Sequence, residues 1–221
     1  LAYTLVLLVV ATSRGWAADP LATPFVTADL GAELRAIAVT EDASKIAAVG
    51  STGFSVEGHQ AGLLTVWDGV GSERWSVTNP GAILCVGWTR SGDMLAFGAD
   101  DGFAQLYLRD GSNRRWPAAE APVLACAFSA DGTRLLTGGA DHVIRVWDVA
   151  SGAAVGEMLG HSGPVFALCV SRDGQQVASG GADGAVMVWE MATLELVTRI
   201  VPHGNTVSSV AFTSDGSRVV S

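Results

Sequence analysis

The stretch GHSGPVFALCVSRDGQQVASGGADGAVMVWE, residues 160–190, decides the fold. It opens on an apolar run, Ala167-Leu168-Cys169-Val170, that ends in Ser171 and enters the polar turn Ser171-Arg172-Asp173-Gly174. A second run, Gln176-Val177-Ala178-Ser179, leads to Gly-Gly-Ala-Asp, and the third, Ala185-Val186-Met187-Val188-Trp189, shows the period-two alternation of a strand. The same phrase stands upstream as APVLACAFSADGTRLLTGGADHVIRVWD, residues 121–148. Asp and Gly tolerate the positive φ of a tight hairpin, so both are read as turn residues, and every glycine cluster is assigned to a turn.

The repeat extends in both directions. Trp67, Tyr107, Trp147 and Trp189 fall 40, 40 and 42 residues apart. Each has an apolar run upstream that ends in Ser or Thr: Ala36–Thr40, Cys85–Thr89, Ala125–Ser129, Ala167–Ser171 and, once more, Ser209–Thr213. A fourth run follows each aromatic position and carries Trp75, Val155 or Val197. Four short strands per forty residues cannot bury both faces alone and must stack on neighbouring units, which predicts all-β propeller blades of four antiparallel strands.

The units resemble WD40 repeats, which place Gly-His before the first strand and Trp-Asp at the end of the third. Gly160-His161, Trp67-Asp68 and Trp147-Asp148 match, Trp189-Glu190 is a variant and Tyr107-Leu108 is degenerate. The resemblance implies a buried network of His161, Ser179, Asp183 and Trp189 in the fourth unit. The third unit keeps Thr137, Asp141 and Trp147 without a His, and the second keeps Asp101 alone, so unequal blade stability is expected. The first carries an insertion around Phe54–Ala61. The expected layout is an apolar leader at 1–17, a lead-in at 18–32 and WD40-like repeats over 33–221. Those repeats divide as 33–75, 76–117, 118–158, 159–200 and a partial 201–221, an incomplete ring of four to five blades in a chain read as a fragment.

Composition narrows the function. Apolar residues make up 49% of the 221 and charged residues 16%, a packing sequence. The net charge of −9 and the scattered bases, densest at Arg114-Arg115, argue against nucleic acid, which needs clustered cations to displace counterions. Leu1–Ala11 is apolar but too short to span a bilayer, and Gly15-Trp16-Ala17 offers a small-residue cleavage site. Export to the periplasm or outside the cell is the expectation, with a cytoplasmic chain as the alternative. Residues 1–17 are thus expected to be a secretory signal peptide, with a membrane anchor or a hydrophobic strand of an earlier blade as its rivals.

Several tempting sites have structural explanations. Cys85, Cys126 and Cys169, an odd and widely spaced set, form neither a disulfide framework nor a zinc site and read as small side chains in buried strands. His59, His142, His161 and His203 lack ligand spacing, and Asp100-Asp101-Gly102 lacks the alternating acids of a calcium loop, so no metal and no cofactor are expected. Ser179 with His161 and Asp183 suggests a hydrolase triad, but Val177-Ala178-Ser179-Gly180-Gly181 lacks the leading Gly of a nucleophile elbow. No catalytic residue is assigned.

By the resemblance, partner contacts would fall just inside the first strand and just before the turn Asp: Leu84, Asp100, Leu124, Ala140, Phe166 and Ala182, with Ser208 and Arg35 in the outer units. Phe166 is the best aromatic anchor, although Leu84 and Leu124 equally suit packing beneath loops. The expected function is a protein-interaction scaffold with an unidentified protein partner. The alternative is a sensory or substrate-gating propeller within a larger exported or membrane-associated enzyme, such as a redox protein or receptor-like kinase.

Overall fold

The computed structural model describes residues 4–7, 26–29, 33–56, 59–68, 73–108, 110–201 and 203–221. Among them every regular element is a strand. β1 (Thr4–Leu7) and β2 (Val26–Asp29) form an antiparallel pair. β1 falls within the apolar run expected as a leader, while residues 1–3, 8–25 and 30–32, with the expected cleavage site after Ala17, lie outside the described residues.

Four sheets of four strands follow in chain order. The first blade is β3 (Glu33–Val39), β4 (Lys45–Val56), β5 (His59–Asp68) and β6 (Glu73–Asn79). The second is β7 (Ile83–Trp88), β8 (Leu95–Ala99), β9 (Phe103–Tyr107) and β10 (Asn113–Pro117). The third is β11 (Val123–Phe128), β12 (Arg134–Gly139), β13 (Ile144–Asp148) and β14 (Ala154–Met158). The fourth is β15 (Val165–Val170), β16 (Gln176–Gly181), β17 (Val186–Glu190) and β18 (Leu196–Ile200). β19 (Ala211–Phe212) and β20 (Val219–Val220) add one further hairpin. The chain divides into two units, 1–83 and 84–221, and the packing described below lies within the second. The insertion of the first repeat lengthens the β4–β5 hairpin, where Ser55 pairs with Gln60 and Val56 with His59.

The aromatic period has a single structural meaning. Trp147 pairs with Leu135 and Trp189 with Val177, and Tyr107 holds the same place opposite Leu95. Trp67 holds it opposite Ile46 in the first blade. The Ser or Thr at the end of each first strand closes the hairpin that follows. The Arg134 amide donates to Ser129 Oγ at 2.9 Å and the Gln176 amide to Ser171 Oγ at 2.9 Å. The turn Asp plays a different part from the one expected. Positive φ falls on the glycine alone (Gly92, Gly132, Gly174, Gly216), while the Asp carboxylate accepts hydrogen bonds, as Asp173 does from Ser171 Oγ at 2.6 Å and from the Gln175 amide at 3.0 Å.

The Gly-Gly pairs also differ from expectation. Gly138-Gly139 and Gly180-Gly181 are the last residues of β12 and β16, inside the sheets. The first glycine of each pair is a socket for the next blade: a Cβ at Gly138 would lie 2.8 Å from Val165 Cγ1, and one at Gly180 would lie 2.5 Å from Val207 Cγ1. Gly98 meets Val123 in the same way at 2.3 Å. Blade thus seats on blade through one repeated glycine–valine contact, and Val123, Val165 and Val207 are all buried. Around that contact the second and third blades share a core that includes Leu106, Trp116, Leu135 and Trp147. The third and fourth share one that includes Leu136, Met158, Met187 and Trp189.

The turn between the second and third strands needs a left-handed residue. Gly102 (φ 80°) and Gly184 (φ 72°) supply it in two blades, but the third uses His142 at φ 72°. A side chain in that region carries a steric penalty that glycine avoids. His142→Gly is therefore expected to stabilise the chain by about 0.5–1 kcal/mol, measured as a rise in the urea unfolding midpoint at constant slope.

Candidate functional site

Blade four holds the best-developed polar centre. β17 carries Trp189, β16 carries Ser179, the loop after β14 carries His161 and the turn after β16 carries Asp183. Trp189 Nε1 donates to Ser179 Oγ at 2.8 Å, and Ser179 Oγ lies 2.8 Å from His161 Nε2. His161 Nδ1 lies 3.0 Å from Asp183 Oδ1. An indole can only donate, so the hydroxyl accepts from it while also bonding His161 Nε2. A carboxylate can only accept, so His161 Nδ1–H donates to Asp183. The Ser162 amide (3.0 Å) and the Ala185 amide (3.1 Å) also donate to Asp183.

This is the hydrogen-bond order of a hydrolytic triad, but the geometry seals it. Ser179 is 0% exposed, and its oxygen already accepts from the Trp189 indole. No substrate atom can approach that oxygen without opening the sheet. What the chain of bonds does is tie the loop before β15 to the turn after β16 and to the third strand.

The other blades show what happens when members are missing. In blade three Trp147 Nε1 donates to Thr137 Oγ1 at 2.9 Å. Ala119 stands where blade four has His161, and Asp141 turns instead to Arg145 Nη1 at 2.6 Å, which also reaches Glu157 through Nε at 3.0 Å. In blade two Phe97 takes the hydroxyl position and stacks on Tyr107, ring centroids 6.1 Å apart, so the polar relay is replaced by an aromatic pair. Its turn Asp101 pairs with Arg115 at 2.5 Å, and that guanidinium lies 4.0 Å over the Phe103 ring. Arg114 donates to the Val149 carbonyl at 3.1 Å, so both members of the densest basic pair are engaged within the fold. In the last hairpin His203 Nε2 meets Ser221 Oγ at 2.8 Å, an exposed copy of the His161–Ser179 contact.

The electrostatics of the turns follow from these bonds. Burial alone would raise the Asp183 carboxyl, yet the Ser162 amide, the His161 ring and the Ala185 amide together hold it below the ordinary value. At the hairpin turns the neighbouring hydroxyls and amides lower the carboxyls. Asp42 is brought to about 2 by Thr40 and Ser44, and Asp215 to about 2 by Thr213 and Ser217. A carboxyl lowered in the fold adds stability above its unfolded value near 3.8, and that stability is lost as pH falls through the folded value. The urea unfolding midpoint is therefore expected to hold steady from these groups between pH 7 and 5, and to fall steeply between pH 4 and 2. Asp173→Asn, at a turn whose carboxyl Ser171 and the Gln175 amide also lower, should flatten that fall.

Three of the residues expected to meet a partner share one geometric peculiarity. In β11 the register to β12 shifts between Val123 and Ala125, and in β15 the register to β16 shifts between Val165 and Ala167. Leu124 and Phe166 are thus bulge residues, left without a cross-strand partner, and Arg35 occupies the same bulge between Leu34 and Ala36. A bulge re-aims its side chain out of the regular pleat. Phe166 is 39% exposed, whereas Leu84 and Leu124 are half-buried. The positions before the turn Asp are bound to the same rim: the Ala140 amide donates to Pro122 O at 2.9 Å, and Ala182 to Pro164 O at 2.8 Å. Phe166 and Ala182 therefore flank one rung at one end of blade four, and Leu124 with Ala140 repeats this in blade three. Asp100, half-buried, holds the Ala182 position in blade two. Among the described residues no three His, Cys, Asp or Glu side chains gather as metal ligands would.

Four-stranded units stacked through a repeated socket, with a Trp–hydroxyl–His–Asp relay tying the loops, define a protein of the β-propeller repeat class. Residues 112–148 and 152–190 match the family described as WD domain, G-beta repeat. These two segments are WD40 repeats. Each matched segment begins one strand before a sheet does, with β10 or β14, so a sequence repeat spans two blades and stitches them covalently. The chain is also similar to the F-box-like/WD repeat-containing protein TBL1X of Homo sapiens and of Macaca fascicularis, each 28% identical over 81 residues, which is 36% of this chain and 14% of the relative. The Mus musculus protein is likewise 28% identical over 81 residues, 15% of its length. The match therefore spans only a small part of these relatives.

Proposed function

We propose that the chain is a non-catalytic scaffold that binds a protein partner through the end of the blades where the bulged first-strand residues emerge. The observation that carries the reading is the pair of bulges that release Leu124 and Phe166 from the sheets at equivalent places, beside Ala140 and Ala182. WD40 repeats generally mediate protein–protein contacts, and a rigid stack that presents loops and an exposed aromatic side chain suits that role. The full burial of Ser179, the nucleophile the sequence put forward, supports the non-catalytic reading.

The test is affinity capture with quantitative mass spectrometry, using the wild-type chain, Leu124→Ala with Phe166→Ala, and a control, Asp131→Asn, at a hairpin turn at the opposite end of the strands. Specific partners are expected to fall about tenfold or more with the double variant, as loss of an aromatic anchor implies, and to persist with the control. Equal recovery by a folded double variant contradicts the assigned face.

A further inference from the structure

Two of the three thiols meet between blades. Cys85 lies in β7 and Cys126 in β11, 41 positions apart in sequence, one on each of the facing sheets of blades two and three. Each sulfur reaches into the neighbouring blade: Cys85 Sγ is 3.8 Å from the Val123 carbonyl and Cys126 Sγ is 3.8 Å from the Ala96 carbonyl. Two glycines clear the space around them. A Cβ at Gly98 would stand 2.9 Å from Cys85 Sγ, and one at Gly87 would stand 3.7 Å from Cys126 Sγ. The neighbouring Cys85 thiol, together with burial, holds the Cys126 thiol well above its ordinary value. Cys169, in β15, faces the next interface, among Ala167, Val207 and Val210.

We propose that Cys85 and Cys126 form a disulfide that straps blade two to blade three, made by exchange with a small-molecule disulfide such as oxidised glutathione. The exchange balances in two steps. One of the two thiols, reached before the interface closes during refolding or when it opens, loses its proton and attacks one sulfur of the small disulfide, forming a mixed disulfide and releasing one reduced thiol. The other thiol then loses its proton and attacks the protein sulfur of that mixed disulfide, forming the Cys85–Cys126 bond and releasing the second thiol. Two protein thiols are oxidised and one small disulfide is reduced to two thiols. The bridge closes a loop of one whole repeat, which removes chain entropy from the unfolded state, and it clamps the first strands of an interface otherwise held by packing and by the Arg114 contact to the Val149 carbonyl.

The test uses the full chain, oxidised with excess oxidised glutathione both as folded protein and during refolding from denaturant, then alkylated, digested and analysed by mass spectrometry. The expected product is one cross-linked Cys85–Cys126 peptide, cleaved by dithiothreitol, with Cys169 alkylated. The thermal midpoint of the oxidised chain should stand about 5 °C above that of the reduced chain. A Cys85→Ala/Cys126→Ala variant should show no such difference. Full alkylation of Cys85 and Cys126 in both arms, pairing of either with Cys169, or glutathione adducts that never resolve would each overturn the proposal.

Discussion

Gly138→Val is expected to destabilise the chain by about 3 kcal/mol or more, because overpacking here has no direction in which to relax. Even a methyl group at this position would lie 2.8 Å from Val165 Cγ1, 3.1 Å from Val165 Cβ and 3.4 Å from Ala125 Cβ. The first two atoms belong to the facing blade and the third to the adjacent strand, so a larger side chain must part the blades or bend β12. Gly204 supplies the control, since a Cβ there meets nothing within 4 Å and its φ is ordinary. Gly204→Ala should change stability by no more than about 0.5 kcal/mol. Urea denaturation of both variants checks the pair, and a loss under about 1 kcal/mol at Gly138 would mean that the blades do not seat through this socket.

Ser179→Ala is expected to cost about 3 kcal/mol and Thr137→Ala about half as much, since each orphaned buried polar group costs about 1–3 kcal/mol. The hydroxyl of Ser179 serves two partners, accepting from Trp189 Nε1 and bonding His161 Nε2. Thr137 serves only Trp147 Nε1, because blade three has no His in that place. The ratio matters more than either value. Equal losses at the two sites, read from the same denaturation series, would show that His161 takes no part in the relay.

Much of this was legible in the sequence because it repeats. The spacing of Trp67, Tyr107, Trp147 and Trp189 marks one position of the third strand, and the strand-ending Ser or Thr with the following Asp and Gly marks the first hairpin. Chemistry forces those residue types wherever the geometry recurs, so the blade is written four times over. The bulges at Leu124 and Phe166 were not legible, since one unpaired residue leaves the apolar pattern on either side intact. The sockets at Gly138 and Gly180 look like turns in the sequence. A glycine placed to admit a neighbour's valine looks, in one dimension, like a glycine placed to bend. Phe97 shows a third kind of silence: it stands where two other blades have a hydroxyl, and only its stacking on Tyr107 reveals that the two changes compensate one another. The meeting of Cys85 and Cys126 was likewise hidden, because residues a full repeat apart become neighbours only when the blades stack on facing surfaces.

The proposed binding face depends on the blades lying side by side in chain order, so that bulges from successive units share one end. A methyl-resolved NMR experiment on the full chain tests this most directly, through nuclear Overhauser contacts between valine methyl groups and glycine α-protons. Three equivalent contacts are expected: Val123 with Gly98, Val165 with Gly138, and Val207 with Gly180. Contacts from Val165 to Gly98, or backbone pairing of β14 with β15 in one continuous sheet, would contradict the stack.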